Sequence, residues 1–175
     1  MTDGPLKRVL ASIVASGFVY DALQHAAGME GFEVHIKESL KPIARGCVVI
    51  DAGGGTGMSR HIWPQDCDYV NVDNDPEKRE AFVRKKLPGK AVLGDITALD
   101  NGPGSVDYVF TKNVTHHLDD GGLDGFLKDS ARVLKPDGKL VFSMPSIPRT
   151  GSSRSSSGAT TAALFRARGT SWSEL

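Results

Sequence analysis

Short apolar segments alternate with longer charged segments between residues 47 and 143 of this 175-residue chain. The apolar segments are rich in Val, Ile, Tyr and Phe and have the length of strands, whereas the charged segments have the length of helices. The strand-like segments are 47–50, 69–72, 91–93, 106–111 and 140–143, and the helix-like segments are 58–63, 76–86 and 123–134. Nearly continuous apolar strands separated by helices are typical of a parallel sheet covered on both faces. Because crossovers between parallel strands are right-handed, we predict an α/β fold with a doubly wound sheet.

The charge balance and the cysteine count limit the classes of partner. Lys and Arg together number 21, as do Asp and Glu. A net charge of zero gives no electrostatic reason to expect a nucleic acid or a membrane as partner. The two cysteines, Cys47 and Cys67, are too few for a disulfide framework, and no Cys/His spacing indicates a metal site. We therefore expect no metal and a reducing compartment, the cytoplasm.

The two ends of the chain differ from its middle. Residues 1–45 are predicted to be helical, and the apolar positions from Val9 to Tyr20 follow the spacing of an amphipathic helix rather than that of a signal peptide. Residues 146–175 contain eight serines and no lysine, a composition typical of disorder. The sequence therefore predicts an N-terminal helical segment, a central domain at 46–145 and a disordered tail.

A glycine-rich loop directly follows the first predicted strand. The sequence from Val48 to Gly57 is an apolar run that ends in Asp51 and continues into four glycines. Such a turn lets a ligand approach the backbone closely, because glycine has no Cβ. The next strand ends in Asp73, 16 residues after Gly57. A carboxylate at this place can accept hydrogen bonds from both hydroxyls of a ribose.

Three kinds of ligand compete for this loop. A P-loop needs a lysine after its last glycine, but Met58 and Ser59 follow Gly57, which excludes that class of phosphate site. A dinucleotide site has the spacing G-x-G-x-x-G, whereas these glycines follow G-x-G-x-G. In addition, the Asp51 carboxylate would repel a pyrophosphate and suits a ligand that carries an ammonium group.

The acid and the glycines of this loop resemble the first motif of the class I S-adenosylmethionine-dependent methyltransferases, in which an acid and one residue precede G-x-G-x-G. Asp51, Gly53, Gly55 and Gly57 match it. Later motifs follow in order: Asp73 resembles the ribose-binding acid, 94–96 the adenine-contacting segment, 106–110 the fourth strand and 134–139 the turn before the fifth. The resemblance implies a Rossmann-like fold, S-adenosylmethionine as cofactor, and an N-terminal segment that closes the cofactor site.

From the resemblance, ten residues are expected to bind the cofactor: Asp51, Gly53, Gly54, Gly55, Gly57, Asp73, Asn74, Asp95, Ile96 and Asn113. It implies that the glycines lie against the methionine part and that Asp51 holds its amino group, through water or the loop amides. Asp73 would take the ribose, and Asp95 with the Ile96 N–H would take the adenine. Asn74 departs from the apolar residue that often packs on adenine. Each acid also has a structural alternative, a strand-end cap for Asp51 and Asp73 and a turn cap for Asp95.

The segment after the fourth predicted strand carries the candidates for chemistry. Methyl transfer needs a base only when the acceptor must lose a proton. His116 lies in a stretch similar to the one that carries the catalytic histidine of small-molecule O-methyltransferases, and His116 is therefore the predicted base. The alternatives are His117, and a role of both side chains in shaping the pocket. Asn113 is expected next to the transferred methyl group.

Members of this family carry a C-terminal antiparallel hairpin, which the serine-rich tail does not resemble. We therefore expect the last two strands to be missing, the chain to stop early, and the fifth strand to have an uncovered apolar edge that promotes self-association. The function predicted is methyl transfer from S-adenosylmethionine to a small molecule, most readily at oxygen. The alternatives are an inactive cofactor-binding remnant and a nicotinamide-dependent oxidoreductase.

Overall fold

In a computed structural model of the chain, residues 36–38, 40, 42–145 and 160–166 are described, with side chains up to residue 143. The described strands are β1 (Val48–Ala52), β2 (Asp68–Asp73), β3 (Lys90–Leu93), β4 (Val106–Lys112), β5 (Leu134–Pro145) and β6 (Thr160–Arg166). The helices of regular α geometry are α1 (Pro76–Arg84) and α2 (Asp120–Val133), and two 3-10 helices span Met58–Ile62 and Thr115–His117. All five predicted strands are therefore present, together with a sixth.

The described strands form one sheet in the order β3-β2-β1-β4-β5-β6. The first five are parallel to their neighbours, and β6 runs antiparallel to β5. The strand order reverses between β1 and β4, and doubly wound sheets bind ligands beyond the carboxyl ends of the strands at this point. The predicted α/β, doubly wound fold is confirmed.

The two faces of the sheet carry separate apolar cores. Alternate residues of β1 point to opposite faces, so that Val49 packs in a cluster with Phe82 of α1, and Ile50 packs in a cluster with Phe126 of α2. Asp75 begins α1 by accepting hydrogen bonds from the backbone N–H groups of Glu77 and Lys78. The prediction of helices on both faces is therefore confirmed.

The segment predicted as a helix at 58–63 is shorter and tighter than expected. It is a 3-10 helix of five residues, Met58–Ile62. Its turn is fixed by the buried Arg60, whose guanidinium donates to the carbonyl oxygens of Trp63 at 2.9 Å and Gln65 at 3.3 Å. Pro64 follows directly and disfavours helical backbone at the preceding residue.

Cys47 and Cys67 form a disulfide bond with each other, which the expectation of a reducing compartment did not anticipate. Each cysteine directly precedes a strand, and β1 and β2 pair in parallel with Val48 opposite Asp68. The pairing of the strands therefore brings the cysteines together, with a Cα–Cα distance of 4.7 Å. The argument for a reducing compartment no longer holds, and a cytoplasmic location stays a prediction.

Reduction of this disulfide is expected to lower the free energy of unfolding by about 3 kcal/mol, because the bond closes a loop in the unfolded chain. The two cysteines are 20 residues apart in the sequence. Urea unfolding with and without a phosphine reductant measures the difference. Thiol titration of the unfolded, unreduced chain checks the pairing, and two free thiols there would contradict it.

The edge of β5 is covered, which corrects the expectation of an exposed apolar edge. β6 pairs with β5 from Thr160 opposite Pro145 to Arg166 opposite Lys139. A strand edge presents unpaired backbone groups, and the β-prone segment Thr160–Arg166 satisfies them. The sheet thus continues past the predicted boundary at 145, residues 160–166 are strand rather than disordered tail, and self-association through β5 has lost its basis. The rest of the predicted tail lies outside the described residues.

The predicted helix at 9–20 and most of the N-terminal segment lie outside the described residues. Ile36 and Leu40, which are described, have helical backbone and are buried in the core that also contains Val49. Over the part of the chain that the structure describes, no helix has the length and apolar character needed to cross a membrane.

Candidate active site

A cleft of about 440 Å³ lies beyond the carboxyl ends of β1, β2 and β4. Of the eleven residues predicted for cofactor binding or catalysis, nine line it: Asp51, Gly53, Gly54, Gly55, Asp73, Asn74, Asp95, Ile96 and Asn113. Gly57 and His116 are not among the lining residues. The topology therefore gathers residues from four separate segments at the edge where the strand order reverses.

The glycine loop needs glycine for two different reasons. Gly53, Gly55 and Gly57 have φ values of 71°, 55° and 81°, in the left-handed region that other residues rarely adopt. A Cβ on Gly57 would also overlap the ring of Phe82 in α1. Gly57 thus fixes the packing of the loop on α1, which explains why it belongs to the glycine motif without lining the cleft.

Asp51 is the buried acid beneath this loop. Its side chain is 1% exposed, and one carboxylate oxygen, Oδ2, accepts a hydrogen bond from the hydroxyl of Tyr69. The other oxygen, Oδ1, has no hydrogen-bond partner among the described residues. Burial raises the pKa of Asp51 from its usual value to about 7, a shift that the Tyr69 hydrogen bond and the Lys112 charge reduce. The Asp51 carboxylate is therefore costly to ionise without a cation beside it.

Asp73 is held in place by backbone donors on both sides. Its Oδ2 accepts from the Gly55 N–H at 2.9 Å, and its Oδ1 accepts from the Asp75 N–H at 2.9 Å. Each oxygen keeps a second lone pair, because a carboxylate can accept about four hydrogen bonds in all. The carboxylate is thus fixed at the loop and still able to accept from two hydroxyls of a ligand. Asn74, the next residue, is exposed at the rim of the cleft.

The segment after β3 places Asp95 both in a turn and at the cleft. The Asp95 Oδ1 accepts from the N–H and the hydroxyl of Thr97, both at 2.8 Å, which is the turn cap. Asp95 nevertheless lines the cleft, with the buried Ile96 beside it.

The segment after β4 approaches the cleft through Asn113 and His117. Asn113 has a φ of 57°, unusual for a residue with a side chain, and its backbone N–H donates to the Ser143 carbonyl at 3.0 Å. The Asn113 Oδ1 is buried without a hydrogen-bond partner among the described residues. The rings of His116 and His117 lie 3.9 Å apart, and His117 is the one that lines the cleft.

Sequence reasoning missed several groups of the cleft. Lys78 of α1 and Lys112 at the end of β4 line it, and Tyr69 supports Asp51 from behind. Lys112 had a recognisable signal, since it ends a strand at the ligand edge of the sheet. The contact of Tyr69 with Asp51 had none, because it depends on the register between β1 and β2.

The family of this chain follows from a comparison of its central domain with models of known protein families. Residues 50–142 match the family model of a methyltransferase domain. The chain belongs to this family, the class I S-adenosylmethionine-dependent methyltransferases. The matched segment of the chain runs from Ile50 in β1 to Phe142 in β5 and contains every residue of the cleft discussed above.

Relatives share the methyltransferase domain over part of their length. An "uncharacterized methyltransferase" of Mycobacterium sp. (strain KMS) is 32% identical over 99 residues, which cover 56% of this chain and 38% of that protein. The malonyl-(acyl-carrier protein) O-methyltransferase of Methylococcus capsulatus is 32% identical over 154 residues, which cover 81% of this chain and 53% of that protein. The chain therefore spans about half or less of the length of these curated relatives.

A solved structure supports the fold. The TehB-like SAM-dependent methyltransferase from Corynebacterium glutamicum superposes with a TM-score of 0.58 at 21% identity, over 73% of this chain and 72% of that chain. At this level of identity the similarity concerns the methyltransferase fold alone.

Replacement of Gly54 by alanine is expected to weaken cofactor binding by about 100-fold or more. The added Cβ would lie 2.6 Å from the Asn71 Oδ1 and 2.7 Å from the Asp51 Cγ, so the loop or the acid must move. Gly102→Ala is the matched control, because a Cβ at Gly102 meets no atom within 4 Å. Calorimetric titration with S-adenosylhomocysteine measures both variants, and wild-type affinity of Gly54→Ala would contradict the expectation.

Proposed function

We propose that this chain binds S-adenosylmethionine in the cleft and transfers its methyl group to an oxygen atom of a small-molecule acceptor. The observation that carries the proposal is the pair of acids at the ends of β1 and β2. Asp51 and Asp73 lie on either side of one glycine loop, the first with an unpartnered buried oxygen and the second with its carboxylate fixed by two backbone N–H groups.

The residues around the loop fit the amino-acid end of this cofactor. An ammonium group would offset the cost of ionising the buried Asp51 carboxylate, directly or through water or the loop amides, in addition to the charge of Lys112. Gly53 and Gly54 let that end lie against the backbone, since any side chain at Gly54 would press on Asp51 and Asn71.

The other end of the cleft fits a nucleoside. Asp73 would accept hydrogen bonds from both ribose hydroxyls. Asp95 would accept from the adenine amino group through its remaining lone pairs, and the backbone N–H of Ile96 would donate to a ring nitrogen. The exposed Asn74 would border the adenine at the rim. These polar groups favour adenine over other bases, because a wrong base leaves them unpaired.

When bound, S-adenosylmethionine supplies a methyl group on a positively charged sulfur, a leaving group that is already activated. The protein then has to place the acceptor oxygen in line with that methyl group and exclude water. Asn113, at the end of β4, would orient the acceptor through its unpartnered Oδ1. A hydroxyl acceptor must also lose its proton.

His117 is proposed as the base for a hydroxyl acceptor, in place of His116. His117 lines the cleft, whereas His116 is not among the lining residues and its ring lies beside that of His117, tilted by 43°. A neutral imidazole can take the hydroxyl proton as the methyl group moves. His116 would then hold the orientation of the His117 ring.

The name of one relative supports oxygen as the acceptor atom, since the Methylococcus protein is an O-methyltransferase of a malonyl group carried by a protein. A carboxylate acceptor needs no base, because it is already ionised at neutral pH. The two kinds of oxygen acceptor therefore make different demands on His117.

Transfer of a labelled methyl group over a panel of acceptors tests the proposal. The panel contains phenols, free carboxylic acids, a malonyl thioester and, as controls, primary amines. We expect label on an oxygen acceptor. With a hydroxyl acceptor, His117→Ala should lower the rate by about 100-fold and His116→Ala by much less. Label on amines alone would refute oxygen as the acceptor atom. Cofactor binding without transfer to any acceptor would favour the alternative, an inactive cofactor-binding remnant.

A further inference from the structure

A buried tyrosine lies directly behind the acid of the glycine loop. Tyr69 in β2 has no exposed surface, and its hydroxyl donates to the Asp51 Oδ2. In the register of β1 and β2, Tyr69 lies opposite Val49 and Asn71 lies opposite Asp51. Tyr69 is therefore a diagonal neighbour of Asp51 on the same face of the sheet, a distance that a tyrosine side chain spans.

Two side chains, those of Arg60 and Phe82, pack against the ring of Tyr69. The Arg60 guanidinium lies with its Cζ 5.1 Å from the centre of the ring, and the ring of Phe82 stacks at 6.2 Å with an interplanar angle of 10°. Arg60 is itself 2% exposed and donates to the Pro88 carbonyl at 2.6 Å and the Trp63 carbonyl at 2.9 Å. These contacts and the burial of the ring restrict the position of the Tyr69 hydroxyl.

A carboxylate on a side chain turns easily about its last torsion, so a hydrogen bond to one of its oxygens decides how it is oriented. The hydroxyl of Tyr69 occupies Oδ2 and leaves Oδ1 without a partner among the described residues. The two oxygens of Asp51 therefore have different environments before any ligand binds.

We propose that Tyr69 is a positioning residue that holds the Asp51 carboxylate so that its second oxygen and its charge meet the ammonium group of the cofactor. This inference rests on the proposed function, since it assumes that the cleft takes the amino-acid end of S-adenosylmethionine. Tyr69 acts through Asp51 and does not contact the cofactor itself.

The charged groups around Asp51 determine how binding of the cofactor's ammonium group by Asp51 depends on pH. Tyr69 and Lys112 favour the ionised carboxylate, Asp73 disfavours it, and burial opposes ionisation most strongly. Burial and the neighbouring Asp51 hold the pKa of Tyr69 well above its usual range, so the hydroxyl remains a donor at neutral pH. Loss of this donor should raise the pKa of Asp51 further, because one stabiliser of the carboxylate is gone.

Tyr69→Phe tests the proposal, because it removes the hydroxyl and keeps the ring packed against Arg60 and Phe82. Calorimetric titration between about pH 6 and about pH 8.5 uses S-adenosylhomocysteine and its deaminated analogue, which lacks the ammonium group. Tyr108→Phe is the matched control, since Tyr108 lies opposite Val49 from the other side and is equally part of the buried core. Cooperative urea unfolding checks that each variant is folded.

For Tyr69→Phe we expect a loss of S-adenosylhomocysteine affinity of about tenfold at the upper end of this pH range and a profile shifted to higher pH. Binding of the deaminated analogue should not change, and Tyr108→Phe should alter neither ligand by more than about twofold. In the unmodified chain, the affinity for S-adenosylhomocysteine should rise with pH, whereas the affinity for the deaminated analogue should not.

Three outcomes would overturn the inference. Tyr69→Phe with wild-type affinity and an unshifted profile would show that the hydroxyl does not position Asp51. Equal losses for both ligands would show a structural role in the loop. If the unmodified chain binds S-adenosylhomocysteine with an affinity independent of pH, Asp51 does not act through its charge. Failure of the unmodified chain to bind S-adenosylhomocysteine at all would refute the proposed function as well.

Discussion

Asp73→Asn is expected to weaken the binding of S-adenosylhomocysteine by about 100- to 1,000-fold, because hydrogen bonds to a charged acceptor contribute more than neutral ones. The wild-type carboxylate can accept from two ribose hydroxyls while Gly55 and Asp75 hold it. An asparagine keeps one acceptor oxygen and turns an N–H₂ donor toward one of the backbone N–H groups or hydroxyls. Part of the loss therefore comes from the loop, which is no longer tied at Gly55.

Asp68→Asn is the control for this variant. Asp68 and Asp73 are the first and last residues of β2, and the Asp68 side chain is 55% exposed, with Lys90 at 3.7 Å. The two variants remove the same charge from opposite ends of one strand. Calorimetric titration should find Asp68→Asn within about twofold of the unmodified chain. Similar losses in both variants would show that net charge, and not the position of Asp73, governs binding.

Asp51→Asn is expected to stabilise the ligand-free protein while it impairs the cofactor site. The pKa of Asp51 is raised to about 7 by burial, so the folded state holds a proton that the unfolded state releases at lower pH. Stability from this group therefore falls as the pH rises from the usual carboxyl range to about 7 and is constant above it. The neutral amide avoids this cost and should raise the free energy of unfolding by about 2 to 4 kcal/mol at about pH 8.

Urea unfolding at about pH 5 and about pH 8 measures this effect and contains its own control. At the lower pH the Asp51 carboxyl is protonated in the folded state and ionised only in the unfolded state, so the variant should be more stable than the unmodified chain by only about 1 to 2 kcal/mol. At the higher pH the difference should be larger, and the variant should also bind S-adenosylhomocysteine about 100-fold more weakly, since it lacks the charge that meets the ammonium group. A variant that is less stable at both pH values would contradict the account of Asp51 as a strained, buried acid.

The sequence predicted the sheet and the cofactor edge because both depend on local patterns. Apolar runs indicated the strands, and Asp51, Asp73 and Asn113 each stand at or near the end of one, where parallel strands bring side chains together. The spacing of the glycines followed from the backbone conformations that the loop requires, with positive φ at Gly53, Gly55 and Gly57. These features can be predicted without knowing which strands pair with each other.

The features that the sequence did not predict all depend on strand pairing or on the direction of a short helix. The disulfide becomes evident once Val48 lies opposite Asp68, because each cysteine directly precedes one of these residues. β6 pairs with β5 across a serine-rich segment that resembles a tail. The choice between His116 and His117 depends on the single turn of the 3-10 helix that carries them.

Calorimetric titration of the unmodified chain with S-adenosylhomocysteine, compared with NAD, tests the central claim most directly. The claim is that the cleft between Asp51 and Asp73 takes an adenosyl cofactor with an ammonium group rather than a dinucleotide with a pyrophosphate. We expect one molecule of S-adenosylhomocysteine to bind per chain, with a Kd of about 1 to 100 μM, and no detectable binding of NAD. Binding of NAD without binding of S-adenosylhomocysteine would contradict the account.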